Sequence, residues 1–248
     1  MTIRNLDAIF APQSIALIGA TDRPRSVGAV VARNLLAAGF KGEIMPVNPK
    51  HASIAGKKCY PDIASLPVAP DLAVICTPPA TIPGLIADLG GRGTRGAIVV
   101  TAGFNDAGNE SGRRLEQEML NAARPHLLRI VGPNCIGVLS TAAGLNASFT
   151  QGTALPGHVA FVAQSGAIVG SVLDWATARG IGFSHLVSLG DMADVDFGDV
   201  IDFLANDTNT HGIVLYIEGI TRARKFLSAA RAAARLKPVV AIKAGRAP

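Results

Sequence analysis

The feature that most constrains the fold of this chain is a regular alternation of short apolar segments with helix-like segments. In the first half, continuous apolar segments rich in β-branched residues cover residues 14–20, 42–48, 71–77, 96–102 and 129–132. Helix-like segments lie between them at 27–39, 81–90 and 110–124. Short, continuously apolar strands are typical of parallel sheets that are covered on both faces. The pattern therefore predicts a doubly wound α/β domain over residues 1–140.

The same alternation resumes in the second half of the chain. Residues 141–157 are rich in Thr, Ala, Gly and Ser, and we interpret them as a linker. Predicted strands follow at 158–163, 183–188, 212–217 and 238–243, with predicted helices at 166–179, 197–204 and 222–236. A second α/β domain is therefore expected over residues 158–248. Because its last strand lacks the helix that would cover it, we expect this domain to be incomplete at its C-terminus.

Composition excludes several classes of function. The three cysteines are far apart, and the five histidines show no HxH or HxxxH spacing, so no metal site is indicated. The net charge is +5, but the basic residues are dispersed and aromatic residues make up only 5%, which disfavours nucleic acid as a partner. No apolar run reaches the roughly 18 residues of a membrane span, and no signal peptide is recognisable. We therefore expect a cytoplasmic protein with no membrane partner.

The loop after the first strand is the first candidate binding site. Its candidate residues are Gly19, Ala20, Thr21, Arg23, Ser26, Val27 and Gly28. Ser26 is a suitable N-cap for the helix that follows, and the N–H groups of a helix N-terminus attract anions. The two glycines allow close approach of the backbone, and Arg23 adds positive charge. The loop therefore predicts a phosphate site.

The residues after the second strand restrict the kind of nucleotide. The dinucleotide fingerprint GxGxxG is absent, and Asn48 and Lys50 stand where an acidic residue would bind a ribose hydroxyl. A lysine in this place favours a ribose that carries a phosphate. The candidates are coenzyme A (CoA), with its 3′-phosphate, and NADP.

Three further strand ends are expected at the same crevice, because ligands bind at the carboxyl ends of parallel strands. Two prolines there form an apolar wall, small residues leave space for a ligand, and an asparagine amide can pair with an amide of the ligand. The candidate residues are Thr77, Pro78, Pro79, Thr101, Ala102, Gly103, Phe104, Asn134 and Cys135.

These segments resemble the CoA-binding half of the NDP-forming acyl-CoA synthetases, the superfamily that includes the succinyl-CoA synthetase α subunit. The resemblance covers nearly the whole chain, and its specific part is GFKG at 39–42, followed by PVNPK at 46–50 and GPNC at 132–135. Residues 163–167, 188–191 and 207–218 match in the second half. The implied fold is a Rossmann-type CoA-binding domain followed by a flavodoxin-like α/β domain.

The resemblance also implies roles for the candidate residues. The first loop would hold the adenosine and phosphate end of CoA, and Lys50 would take a phosphate. Thr77, Pro78 and Pro79 would line the adenine side. Residues 101–104 with Asn134 and Cys135 would flank the pantetheine arm and the thiol.

The implied reaction converts an acid, CoA and ATP into acyl-CoA, ADP and phosphate through an acyl-phosphate and a phosphorylated histidine. Ser165 and Gly166 would open a helix that faces the phosphoryl group, and Glu218 would orient the histidine. ADP or ATP, with magnesium, would bind only to an ATP-grasp domain or subunit outside this chain. A homodimer is left open.

The chain departs from the family pattern at its C-terminus. It matches a KxGR-like turn at 243–246 and then ends, so the phosphorylated histidine would lie beyond residue 248. We therefore expect CoA binding without turnover by this polypeptide alone. Two alternatives remain open: the regulatory CoA-binding region of a protein lysine acetyltransferase fused to a GNAT domain, and an NADP-dependent oxidoreductase.

Overall fold

The computed structural model describes residues 3–104 and 110–245. Its first half contains, in chain order, α1 (Asp7–Phe10), β1 (Ser14–Ile18), α2 (Val27–Ala37), β2 (Glu43–Val47), β3 (Ser53–Ile54), β4 (Lys57–Lys58), β5 (Leu72–Ile75), α3 (Ile82–Gly91), β6 (Gly96–Val99), α4 (Glu110–Ala123) and β7 (Arg129–Val131). Five of the strands form a parallel sheet in the order β2-β1-β5-β6-β7. The strand order reverses between β1 and β5, which opens a crevice at their carboxyl ends.

The second half is built around another sheet. It contains β8 (Gly137–Ser140), β9 (Leu145–Ser148), β10 (Pro156–Ala163), α5 (Gly166–Thr177), β11 (Phe183–Ser188), α6 (Phe197–Asn206), β12 (Gly212–Ile217), α7 (Ala223–Ala233) and β13 (Val239–Lys243). The strand order is β13-β12-β10-β11-β8-β9, with β8 and β9 antiparallel to their neighbours. Here the order reverses between β10 and β12, so a second crevice opens at their carboxyl ends.

The predicted alternation of strands and helices is confirmed, and so is the α/β fold class. β5 and β6 are buried along their whole length, as expected for strands covered by helices on both faces. α2 begins where its N-cap predicts, since the Ser26 side chain accepts a hydrogen bond from the Ala29 N–H. Within the described residues, no helix is both long enough and apolar enough to cross a membrane.

The interpretation of residues 141–157 as a linker is wrong. This segment contains β9, which is buried and pairs with β8, and β8 in turn pairs with β11 of the second sheet. The Asn34 side chain of α2 donates hydrogen bonds to the carbonyl oxygens of Ser148 and Thr150, both at 2.9 Å. Polar groups of this segment can be buried because they have hydrogen-bond partners, although the composition of the segment is typical of a loop. The β8–β9 hairpin therefore fastens α2 to the second sheet.

Candidate functional site

Two glycines allow the loop between β1 and α2 to pack closely against the helix. Gly19 has a φ of 84°, in the left-handed region that favours glycine. A Cβ atom on Gly28 would lie 2.2 Å from the Gly19 carbonyl oxygen, so only glycine lets α2 pack against this loop. The Ser26 hydroxyl, which caps α2, also donates to the Arg23 carbonyl oxygen at 2.8 Å. The first turn of α2 is thereby held beside the loop, in the arrangement expected of an anion site.

Asn48 braces this loop from the end of β2. Its Nδ2 donates to the Ala20 carbonyl oxygen at 2.7 Å, and its Oδ1 accepts from the Lys50 backbone N–H at 2.9 Å. Both ends of the amide are thus engaged within the protein, while the Lys50 side chain is exposed. Asn48 therefore positions the loop and Lys50.

Two predicted contact residues are enclosed in the protein. Ala20 and Phe104 have no solvent-exposed surface. Phe104 belongs to the apolar core beneath the first sheet, with side chains such as Ile82 and Met119. The expectation that Ala20 and Phe104 contact a ligand is therefore wrong, because a ligand in the crevice cannot reach either side chain.

Hydrogen bonds connect the ends of β5, β6 and β7 in series. The Thr101 hydroxyl donates to the Thr77 carbonyl oxygen at 2.7 Å, and the Asn134 N–H donates to the Thr101 carbonyl oxygen at 2.9 Å. These loops surround a cleft of about 730 Å³, which we call the first cleft. The predicted residues that line it are Val27, Thr77, Pro78, Thr101, Ala102, Asn134 and Cys135.

The other predicted residues of the first half do not line this cleft. Thr21 lines a separate cleft of about 600 Å³ beside α2, together with Arg25 and Arg33. The Pro79 ring packs beside Gly103: a Cβ atom on that glycine would lie 3.5 Å from the ring. Gly19, Arg23, Ser26, Gly28 and Lys50 belong to the loops described above.

The two cysteines that line the first cleft have raised pKa values. Burial raises the pKa of Cys76 to about 12. Burial likewise raises the pKa of Cys135 to about 12, with smaller contributions from Cys76 and the negative charge of Asp191. Because the thiolate is the nucleophilic form of cysteine, the raised pKa values disfavour a nucleophilic role for these two residues of the cleft wall.

A second cleft, of about 620 Å³, lies at the carboxyl ends of β10 and β12. The predicted residues Ser165, Gly166 and Glu218 line it. Ser165 caps α5 by accepting a hydrogen bond from the Ile168 N–H. The Gln164 side chain accepts from the backbone N–H groups of Glu218 and Gly219, at 2.8 and 2.9 Å. Gln164 thus joins the two strand ends and holds Glu218 in place.

The two clefts meet, because Asn134 and Gly166 line both of them. Gly166 lies close to the loop before β8, where a Cβ on the glycine would be 3.0 Å from Ile136. The strand ends of both sheets therefore form two adjacent clefts that share Asn134 and Gly166 in their walls.

The sequence analysis missed several residues of this site. Cys76, Ile136 and Phe149 line the first cleft, and Gln164 and Asp191 line the second. Cys76 precedes the predicted residue Thr77, and Asp191 belongs to the matching segment 188–191, so both carried a signal that could have found them. Phe149 follows the hairpin strand β9 that the sequence analysis took for a linker, so it carried no such signal.

Two further expectations concern metals and the C-terminal turn. Among residues 3–104 and 110–245, no group of three or more His, Cys, Asp or Glu side chains could hold a metal ion. In the predicted KxGR-like turn, Lys243 donates a hydrogen bond to the Glu218 carbonyl oxygen at 3.0 Å. Arg246, the last residue of that turn, lies outside the described residues.

Comparisons with known proteins agree with this architecture. Residues 13–141 match a family model described as a CoA binding domain, and residues 156–248 match one described as a succinyl-CoA ligase-like flavodoxin domain. The chain is 39% identical to an ADP-forming acetate–CoA ligase I of Archaeoglobus fulgidus, over 97% of this chain and 35% of that protein. It is 37% identical to the α subunit of ADP-forming acetate–CoA ligase I of Pyrococcus furiosus, over 98% of this chain and 53% of that subunit.

A solved structure shows the same fold over the whole chain. It is the apo form of a dinucleotide-forming acetyl-coenzyme A synthetase 1 from Ca. Korarchaeum cryptofilum, with 40% identity and a TM-score of 0.92. The match covers 98% of this chain and 53% of that one, so the chain spans only part of the proteins it resembles. On these matches, this chain belongs to the NDP-forming acyl-CoA synthetase family and corresponds to its α-subunit-like, CoA-binding region.

Proposed function

We propose that this chain binds CoA in the first cleft and presents the CoA thiol to an acyl-phosphate in the second, as part of an ADP-forming acyl-CoA ligase. The observation that carries the proposal is the junction of the two clefts at Asn134 and Gly166. If the pantetheine arm of CoA lies along the first cleft, its terminal thiol lies where the second cleft begins. In the proposed reaction the thiol sulfur attacks the acyl carbon and forms the thioester C–S bond, the C–O bond to the phosphoryl group breaks, and phosphate leaves with the thiol proton.

The residues present fit CoA chemically. The first cleft has the size of a small-molecule site and combines apolar walls with a few polar groups. The N-terminus of α2 reaches this cleft at Val27 and attracts the diphosphate. Arg23 and Lys50 lie on loops outside the cleft, where in this proposal they bind the phosphates of the part of CoA that extends beyond it. Thr77 and Pro78 face the adenosine side, whereas Asn134 and Cys135 lie at the thiol end.

The second cleft supplies the phosphoryl site of this proposal. The α5 N-terminus at Ser165 and Gly166 stabilises the phosphoryl oxygens, since preorganised N–H groups favour the charge that develops in phosphoryl transfer. In this proposal Glu218 is the hydrogen-bond acceptor that orients the phosphorylated histidine of the family reaction. An ATP-grasp domain or subunit binds ADP or ATP with magnesium, and the name "α subunit" of the Pyrococcus furiosus relative supports such a partner. A homodimer and the cytoplasmic location stay predictions.

Calorimetric titration of the 248-residue chain tests the ligand. We expect CoA to bind and NADP not to bind. Replacing Lys50 with Ala should weaken CoA binding about tenfold, the loss of one charge-assisted hydrogen bond. Binding of 3′-dephospho-CoA should stay the same. Binding of NADP without CoA would overturn the proposal in favour of an oxidoreductase.

A second experiment tests how the activity is divided. We expect no acyl-CoA when this chain alone is mixed with acetate, ATP, magnesium and CoA, because in our proposal a partner domain or subunit binds the nucleotide. Formation of acyl-CoA by this chain alone would show that the proposed division of labour is wrong.

A further inference from the structure

Asn134, at the junction of the two clefts, is held by Asp191. The Asn134 Nδ2 donates a hydrogen bond to Asp191 Oδ1 at 3.1 Å. Asn134 follows β7 in the first sheet, and Asp191 follows β11 in the second sheet. One side-chain hydrogen bond therefore joins the two sheets at the point where the clefts meet.

The backbones of these two loops are already fixed without that bond. The Asp191 N–H donates to the Pro133 carbonyl oxygen at 3.0 Å, and the Ala193 N–H donates to the Gly132 carbonyl oxygen at 3.1 Å. At Gly190 the loops are so close that a Cβ would lie 2.1 Å from the Pro133 carbonyl oxygen. Backbone hydrogen bonds thus hold the two loops together, and the bond from Asn134 to Asp191 acts in addition on the orientation of the Asn134 amide.

The chemistry of the pair determines that orientation. The two ends of an asparagine amide have nearly the same shape, but one donates hydrogen bonds and the other accepts them. A carboxylate only accepts, so Asp191 selects the NH₂ end of Asn134. The carbonyl oxygen of Asn134 is then the end left to accept a hydrogen bond from a ligand in the cleft.

We propose that Asp191 is a positioning residue for CoA: it orients the Asn134 amide so that Asn134 Oδ1 accepts a hydrogen bond from an N–H group of the pantetheine arm. The inference rests on the proposed function, because it takes CoA as the ligand of the first cleft. The pantetheine arm carries two amide N–H donors, which match an acceptor fixed in this place.

Asp191→Asn is the informative substitution, since it keeps the shape of the side chain. An asparagine at 191 can donate or accept, so Asn134 is no longer forced into one orientation. We expect the Kd for CoA to rise about fivefold, as for one neutral hydrogen bond. The Kd for adenosine 3′,5′-bisphosphate, which lacks the pantetheine arm, should not change. The matched control Asp88→Asn, on the exposed surface of α3, should leave both constants unchanged.

A double-mutant cycle with Asn134→Ala completes the test. Once the Asn134 amide is removed, Asp191→Asn should have no further effect on CoA binding. The inference is overturned if Asp191→Asn binds CoA like the wild type, if it weakens both ligands equally, or if its effect persists beside Asn134→Ala. Failure of the wild-type chain to bind CoA would instead refute the proposed function itself, before any variant is compared.

Discussion

Replacing Arg129 with Met tests the charged contact between the two sheets. Arg129 lies on β7, and its guanidinium contacts Asp194 at 2.9 Å and Asp199 at 3.2 Å, both from the segment after β11. Burial by itself would lower the pKa of Arg129, but the hydrogen bonds and charges of the two aspartates raise it. The guanidinium therefore stays charged and holds two carboxylates from the loop and helix α6 that follow β11.

The expected loss of stability follows from the burial of the three side chains. The Arg129 side chain is 10% exposed, Asp194 25% and Asp199 only 1%. Without Arg129, Asp194 can be hydrated and Asp199 keeps its ion pair with Lys225. We therefore expect a cost near the lower end of the range for breaking a buried ion pair, about 3 kcal/mol. For a chain of this size, that cost lowers Tm by about 6–12 °C.

Thermal and urea unfolding of the chain at neutral pH measure this loss. The matched control is Arg95→Met, which removes an ion pair with Asp71 of similar length, 3.1 Å. The Arg95 side chain is 47% exposed, so its pair is worth at most about 1 kcal/mol. If Arg129→Met costs no more than Arg95→Met, the reasoning about buried charge at this contact is wrong.

Two further predictions concern α2 and a buried histidine. Gly28→Ala should reduce CoA binding more than about tenfold and destabilise the chain, because the added Cβ collides with the Gly19 carbonyl oxygen. The control Gly84→Ala, which adds a Cβ in open space on α3, should be neutral or slightly stabilising. Equal results for the two variants in calorimetry and unfolding would contradict this prediction. Burial lowers the pKa of His185 from 6.5 to about 4. Between these pH values the unfolded chain therefore binds a proton on His185 that the folded chain does not bind. The free energy of unfolding should fall by about 3 kcal/mol as the pH drops from 6.5 to 4. Urea unfolding across this range should show a smaller decrease for His185→Gln, and an equal decrease in both proteins would exclude His185 as its source.

Much of the fold could be predicted from the sequence, because its signals are local. The strands β11 and β12 were predicted at the residues where they lie, since short segments that contain β-branched and large apolar residues between helix-like segments favour strands. The same reasoning failed at β9, where Asn146 and Ser148 are buried. Hydrogen bonds from distant residues such as Asn34 make that burial possible, and no local pattern records them.

In the candidate site, too, residues with a local signal were predicted and their distant partners were not. Asn134 was predicted from its place at a strand end, but its partner Asp191 was not predicted, because the two residues are 57 positions apart. Gln164 was likewise missed as the acceptor for the N–H groups of Glu218 and Gly219, which lie 54 and 55 positions away. The position of a residue at a strand end can be predicted from the sequence, whereas the hydrogen-bond partner of that residue depends on how the segments pack in three dimensions.

By itself, the sequence determined the alternating α/β architecture, the family, and the loop between β1 and α2 with its two glycines. These depend on periodicity, on turn geometry and on motifs of a few consecutive residues. Only the tertiary structure decided that Ala20 and Phe104 are enclosed, that the supposed linker is a hairpin, and that the two clefts meet at Asn134 and Gly166. The reason is physical: burial and cleft geometry arise from contacts between segments that are distant in the chain.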